Sequence, residues 1–527
     1  MDDDIAAANL EYPTVPPTAT LGRRIAVKSL SGGLALPLNV LLQAMVPRAL
    51  GAAAYGDYVY LSAFFTSVLN LGDSGTSQAF YNKLSQRPDE AGLSGFYARF
   101  ALALLILLAA VVGLAFAAGG APFLWPHLPV ALVLLGALMA FGNWLISVAS
   151  RAVDANALTV YGEAMAIGVR VALVLAVVVL FGARLLTLWS FFSVQNAFNL
   201  VLVAGLLAIL GKAGRARAFI RPLAPIDRHR YTREFWDYCH PILVVSIAAA
   251  VADVADRWLL QRLGGSTQQG FLGLGLQIGS VVFIFGGATA TLLAREFARA
   301  HHDGDHEQLK SNFVRYLPRA YTVTAYFGVF LAVESPAIVR LFGGDQFVNA
   351  APATALLCLY PLHQVYGQLG NSLMYATERT QTVRSIGLAG LALGLLMTAF
   401  VLAPRHFGGL GLGAIGLAGK MVLHQIVIVN VILWSNARYL GVKFGPLLWR
   451  QLVTPVSFGI CAFASGALAA RAFPATIVAS FLAAGVMYTM LASALALIWP
   501  SALGLEREDV AIIVRAIRTR GRREPAD

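Results

Sequence analysis

Fourteen apolar stretches run through this chain, near residues 25–46, 56–80, 98–118, 128–149, 161–182, 186–210, 239–261, 271–294, 316–333, 349–376, 385–403, 410–434, 450–470 and 475–499. Each can supply a helix of about 20 residues, the length that crosses a bilayer's hydrocarbon core. The chain therefore reads as an all-α polytopic membrane protein with about 14 transmembrane helices. Of its 527 residues, 58% are hydrophobic and 13% charged. Soluble chains hold about 45–50% and about 25%. No soluble core hides that surplus, which excludes a water-soluble enzyme or nucleic-acid-binding module.

The formal charge of +12 and the pI near 9.7 would point to nucleic acid in a soluble chain. Here they are read first as topology. With both termini cytoplasmic, 30 of the 39 Lys and Arg fall on inner segments and seven on outer ones, while Arg170 and Lys420 lie inside apolar runs. One missed or invented span would invert that pattern, so the fourteen-span arrangement is self-consistent and nucleic acid is not needed. Cys239, Cys358 and Cys461 lie in or beside apolar runs and form no disulfide or metal-site spacing. The acidic start, MDDDIAAANLEYPTVPPTAT, has neither the basic nor the apolar region of a cleaved signal.

The expected organisation is a cytoplasmic lead (1–24), a six-helix bundle (25–210), a basic cytoplasmic linker (211–235), a second six-helix bundle (236–438), two additional helices (439–499) and a basic cytoplasmic tail (500–527). In the tail, Val510, Ile513, Val514 and Ile517 stand at helical spacing beside arginines, which fits an interfacial amphipathic helix or a solvated basic tail. The outer loops are short, and no loop has room for a soluble catalytic domain. An enzyme is not expected.

Arg48, Gly51, Gly56 and Gly72 recur, 214 residues on, as Arg262, Gly265, Gly270 and Gly286. Each set falls around the junction of the first two spans of a bundle. Two six-helix halves would enter the membrane in the same sense, related by a pseudo-twofold along the membrane normal, with substrate held at their interface.

The residues that carry this repeat also carry a resemblance. Val46–Tyr58 (VPRALGAAAYGDY) and Leu71–Gly75 (LGDSG) resemble the opening signature of bacterial oligosaccharide flippases of the multidrug/oligosaccharidyl-lipid/polysaccharide exporter superfamily. Asp256-Arg257, Leu263–Gly265 with Gly270, and Ile338–Asp345 (IVRLFGGD) are similar to its second-half version. The resemblance runs over most of 20–440. It implies translocation of lipid-linked O-antigen or exopolysaccharide precursors across the cell inner membrane by alternating access. It also implies membrane lipids, glycosyltransferases and a polysaccharide polymerase as partners.

Charge in the bilayer centre costs roughly 2.5–3.5 kcal/mol on insertion scales, so intramembrane polar residues should face a partner helix or water. In the second span Asn70, Asp73, Ser74, Ser77, Gln78 and Tyr81 share one face of a continuous helix. That stripe is a cavity wall or a hydrogen-bonded seam. Fainter stripes are Lys28, Ser31, Asn39 and Gln43 in the first span and Asn143, Ser147, Arg151 and Asp154 in the fourth. In the tenth, Tyr360, Gln364, Gln368, Asn371 and Tyr375 suit sugar hydroxyls and pyranose faces, or an aromatic belt with internal glue. Asp253 and Arg257, one turn apart, fit an ion pair. Lys420, with His424 one turn on, and Arg170 would meet an anionic substrate or neutralise a buried carboxylate such as Asp73.

The expected substrate contacts are Lys28, Asn39, Asn70, Asp73, Gln78, Arg170, Arg262, Gln364, Asn371 and Lys420, with Asp73, Asp253 and Asp256 as ion-coupling carboxylates. His301–His306 (HHDGDH) has metal-ligand residue types without a closed ligand spacing, and no metal is expected there. No P-loop occurs, so ATP is not the direct driver and no cofactor is expected. The competing functions are a cation-coupled drug or metabolite exporter and a lipid II flippase of the same superfamily, and then a membrane glycosyltransferase or polymerase. The last would need acidic motifs in a larger outer loop.

Overall fold

The computed structural model describes residues 20–215, 217–220, 225–506 and 508, and those residues contain helices and no strands. The segment proposed as an interfacial helix, with Val510, Ile513, Val514 and Ile517, lies outside the described residues, as does most of the 1–24 lead.

Every apolar stretch is helical. Leu21–Asp73 supplies the first segment and most of the second in one helix of 53 residues, and Pro225–Ser280 supplies the seventh and the start of the eighth in one of 56, with Phe283–His302 carrying the rest of the eighth. The others are Ala91–Ala117, Val130–Ala155, Thr159–Gly182, Leu188–Lys212, His306–Val333, Ala351–Ala376, Thr380–Leu402, Gly413–Tyr439, Gly445–Ala472 and Ile477–Ile498. Among the described residues, nine helices are long and apolar enough to cross a membrane on length and composition, the first two segments counting as one helix. Ala351–Ala376, outside that nine, carries the amides of the tenth stripe. This is the construction of a multi-pass membrane protein.

The internal repeat has a conformational counterpart. Both long helices break at the equivalent glycine, Gly51 at φ 76°, ψ 169° and Gly265 at φ 79°, ψ 176°. A side chain rarely adopts such angles, so glycine is what lets each helix re-aim without ending. Five residues beyond each break the backbones cross. A Cβ on Gly56 would lie 1.7 Å from the Ser266 carbonyl oxygen, and one on Gly270 would lie 2.1 Å from that of Ala52. These are reciprocal contacts, because Ser266 is the counterpart of Ala52 at the same offset of 214. Asp57 secures the crossing by accepting the Ser266 hydroxyl at 2.5 Å and Gln261 Nε2 at 3.4 Å.

The chain forms two compact units, 1–49 with 60–254 and 50–59 with 255–527. The first has a core around Phe80, Tyr97, Val148, Ala152, Leu206 and Tyr231. The second is centred on Phe313, Tyr321, Val365, Tyr366, Val429 and Leu433. The two C-terminal helices belong to the second core. Tyr488 stacks on Tyr326 and Phe330, with centroids 4.9 and 5.0 Å away, and its hydroxyl donates to the Tyr326 carbonyl at 2.8 Å.

In the first unit, ion pairs fasten the turn after the second segment to the start of the seventh. Glu234 accepts Lys83 Nζ at 2.9 Å and Arg87 Nη2 at 2.7 Å, while Glu90 takes Arg230 and the Tyr231 hydroxyl. The Arg87 hydrogen bond, helped by Lys83, holds the Glu234 carboxyl at about 2.

Gly56→Ala and Gly270→Ala each drive a methyl into a backbone carbonyl that cannot rotate away, so each should lower the thermal midpoint of the detergent-solubilised protein; overpacking costs about 1–3 kcal/mol. Gly113→Ala, with nothing within 4 Å, should leave it unchanged or slightly raised. Because the Glu234 carboxyl is depressed in the folded state, its contribution is complete above the ordinary value of 4.5 and is lost as pH falls toward about 2. The midpoint difference between wild type and Glu234→Gln should therefore be constant near neutrality and shrink below pH 4.5.

Candidate functional site

Three consecutive rungs on the N-terminal half of the first segment tie it to the fourth and fifth. Arg24 donates to the Asp154 carbonyl and the Thr159 hydroxyl, both at 3.2 Å. Lys28 Nζ pairs with Asp154 Oδ2 at 2.7 Å and stays half-exposed. Ser31 donates to Glu163 Oε2 at 2.5 Å. Positions 24, 28 and 31 fall on one helical face, and two members of the stripe seen in the sequence, Lys28 and Ser31, bind neighbouring helices there. Asn39, two turns further out, is half-buried.

Glu163 went unnoticed in the sequence, although it stands in an apolar run two turns before Arg170. Seven residues bring a helix back to nearly the same azimuth, so Arg170 lies on the face of Glu163. It sits at the middle of the 24-residue helix Thr159–Gly182. It is exposed, with no hydrogen-bond or ion-pair partner among the described residues. A cation at that depth has to look onto water.

Asp73 is different. The second segment is not the continuous helix expected: it stops at Asp73, turns through left-handed Ser74 (φ 39°) and Gly75 (φ 89°), and resumes as Thr76–Gln86. The regular face from Asn70 to Tyr81 is therefore interrupted. Asp73 instead gathers donors around the break: Thr76 Oγ1 at 2.9 Å, Ser77 N at 3.0 Å, Ser77 Oγ at 2.9 Å, Trp144 Nε1 at 3.2 Å and the Tyr97 hydroxyl at 3.4 Å. Arg151 stands behind them, donating to Ser77 Oγ at 2.7 Å. Such a cage supplies donors to both carboxylate oxygens. Asn70 and Gln78 are exposed on either side of the break, and Gln78 donates to Asn82 at 3.1 Å. Trp144 and Tyr97 escaped the sequence reading because only the break aims Asp73 at them.

In the second unit, the structure brings together two residues the sequence had assigned separate roles. Lys420 Nζ lies 2.7 Å from Asp256 Oδ2, with the side chains 8% and 19% exposed. Thr398 donates to Asp256 Oδ1 at 2.6 Å. Lys420 thus has Asp256 as its carboxylate. His424 Nε2 contacts the Gly390 carbonyl at 2.8 Å. Gly390, Gly394 and Thr398 form a small-residue stripe at helical spacing. That stripe admits the Lys420 and His424 side chains of the neighbouring helix.

Gln364 is half-buried and accepts the Tyr360 hydroxyl at 3.2 Å, and Asn371 has a buried amide oxygen without a partner among the described residues. Arg262 is exposed beside the Gly265 break, and Asp253 is exposed one turn before Arg257. In the HHDGDH loop, Asp305 caps the helix His306–Val333 by accepting Gln308 N at 2.8 Å. Among the described residues no three His, Cys, Asp or Glu side chains converge as metal ligands. The second unit also holds an apolar hollow of about 510 Å³, walled by Tyr326, Phe330, Phe481, Val486 and Tyr488.

No protein-family profile and no curated protein sequence matches the chain. Solved structures do match. A lipid II flippase MurJ in an inward closed conformation superposes with a TM-score of 0.60 at 13% identity, covering 90% of this chain and 98% of that one. An inward-facing multidrug resistance MATE family transporter of the MOP superfamily gives 0.55 at 14% identity, covering 79% and 98%. The chain has the fold of these membrane transporters.

Asp73→Asn leaves one carboxamide oxygen for donors that two carboxylate oxygens now serve, and turns an NH2 toward groups that donate. It should cost about 1–3 kcal/mol of stability, seen as a lower thermal midpoint, with Asp73→Ala lower still.

Proposed function

We propose that this protein is a flippase that moves a lipid-linked, diphosphate-anchored oligosaccharide from the inner to the outer leaflet of a bacterial cytoplasmic membrane, with both termini inside. The observation that carries the reading is Arg170, an exposed guanidinium at mid-span with no partner among the described residues. A diphosphate loses its hydration in hydrocarbon. A planar fork of donors that faces water at bilayer depth repays part of that loss, and it binds phosphate oxygens two at a time.

Lys28 at the cytoplasmic end of the same wall would meet the headgroup first, and Asn39 lies between the two levels. Gln364 and Asn371 in the second unit, with Tyr360, offer amides and a ring to sugars. The apolar hollow beside Tyr326 and Phe330 fits a lipid-bearing cargo better than a soluble one. The three carboxylates considered for ion coupling remain candidates for that role in this reading: Asp73 within its ring of donors, Asp256 paired with Lys420, and Asp253 one turn before Arg257.

A second reading, transport of lipid II itself, is favoured by the likeness to the lipid II flippase over 90% of the chain. Deleting the gene separates the alternatives. Loss of a surface polysaccharide supports the first reading, rescue of cells depleted of their lipid II flippase supports the second, and sensitivity to cationic dyes alone would favour a drug exporter.

Arg170→Ala should cut translocation of a fluorescent lipid-linked oligosaccharide in proteoliposomes at least tenfold, while Arg170→Lys retains part of it. Because Arg170 supports no internal contact and an isolated cation opposes membrane insertion, neither variant should lose thermal stability. Full transport by Arg170→Ala would remove the headgroup-binding role.

A further inference from the structure

The ion pair between Asp256 and Lys420 does more than satisfy two buried charges. Asp256 projects from Pro225–Ser280, Thr398 from Thr380–Leu402 and Lys420 from Gly413–Tyr439, so one carboxylate joins three helices. Its surroundings are oxygen-rich. Asp256 Oδ2 touches the ammonium at 2.7 Å, Asp256 Oδ1 takes the Thr398 hydroxyl at 2.6 Å, that hydroxyl lies 3.0 Å from the Gly394 carbonyl, and a Cβ on Gly394 would lie 3.7 Å from Lys420 Nζ. Carboxylate, hydroxyl and backbone carbonyl are the ligands that hard cations take. The ammonium itself is the chain's own, on a helix packed through Gly390 and Gly394. His424, one turn away, is turned to the Gly390 carbonyl.

We propose that Asp256, Thr398 and the Gly394 carbonyl form a monovalent-cation site whose occupant is the tethered Lys420 ammonium. The site is permanently filled by the protein, so wild-type protein takes no free sodium or potassium there. Removing the ammonium vacates the site and makes the three-helix junction depend on a dissolved cation. The inference concerns the second unit alone and stands whichever cargo the protein carries.

The test is thermal unfolding of purified full-length protein in sodium, potassium or choline chloride at equal ionic strength, without cargo. Wild type should show the same midpoint in all three salts. Lys420→Met should be destabilised in choline and recover by roughly 5 °C or more, saturably, in sodium or potassium. Lys420→Met/Asp256→Asn, which carries neither charge, should fold and respond to no cation. Should Lys420→Met fold only when prepared in sodium or potassium, that too supports the proposal. It is overturned if wild type gains stability saturably from either metal ion. It is equally overturned if Lys420→Met responds to neither ion, fails to fold in every salt while the double variant folds, or fails together with the double variant.

Discussion

The membrane interior leaves a polar group few options. Hydrocarbon offers no hydrogen bonds, so backbone groups close on themselves in helices and each side-chain charge must find a partner or a wet surface. That one constraint explains the helical segments and their lengths, and it makes every intramembrane charge informative. Lys28, Glu163 and Arg24 are answered by neighbouring spans, Asp73 by a cage of neutral donors, and Asp256 by Lys420. Arg170 has no such answer among the described residues, which is why it carries the functional reading.

How much of this was visible in the residues depends on the range over which each feature is determined. The helices are set by local hydropathy, and all fourteen stretches are helical, the second and eighth each with an interruption. The repeat is set by glycine spacing, and Gly51 and Gly265 share one unusual backbone conformation. The likeness to solved transporters supports the superfamily's fold without reaching the oligosaccharide flippases in particular. Pairing of charges across spans is non-local and was only partly legible: Lys420 was matched to a buried carboxylate in kind, but the partner is Asp256. Helical periodicity presumes an unbroken helix, so the turn at Ser74 and Gly75 escaped it, and with it the cage around Asp73. Glu163 was overlooked because a single carboxylate near a span's end forms no stripe. Its meaning comes from Ser31, 132 residues earlier.

Repetition of the backbone has not meant repetition of the chemistry. The two long helices break at equivalent glycines, and their following segments cross through equivalent small residues, so the architecture of the first half is rebuilt in the second. The side chains then diverge. Where the first unit stabilises Asp73 with hydroxyls, an indole and a backbone amide, the second stabilises Asp256 with a full positive charge.

Those two solutions behave differently when helices move. A cage of neutral donors is short-ranged and depends on angle, so displacing Trp144 or Ser77 by an ångström removes its contribution and leaves an anion in a poor solvent. Such a carboxylate holds its local turn rigid. An ammonium and a carboxylate attract over a longer range, and the four-carbon stem of lysine lets the contact persist through a change of helix angle. Asp256 with Lys420 is therefore suited to keeping a junction of three helices neutral. Asp73 is suited to fixing the broken helix on which the first unit's polar wall is built. The duplicated scaffold thus carries one charge site held by short-ranged, angle-dependent donors and one held by a longer-ranged ion pair.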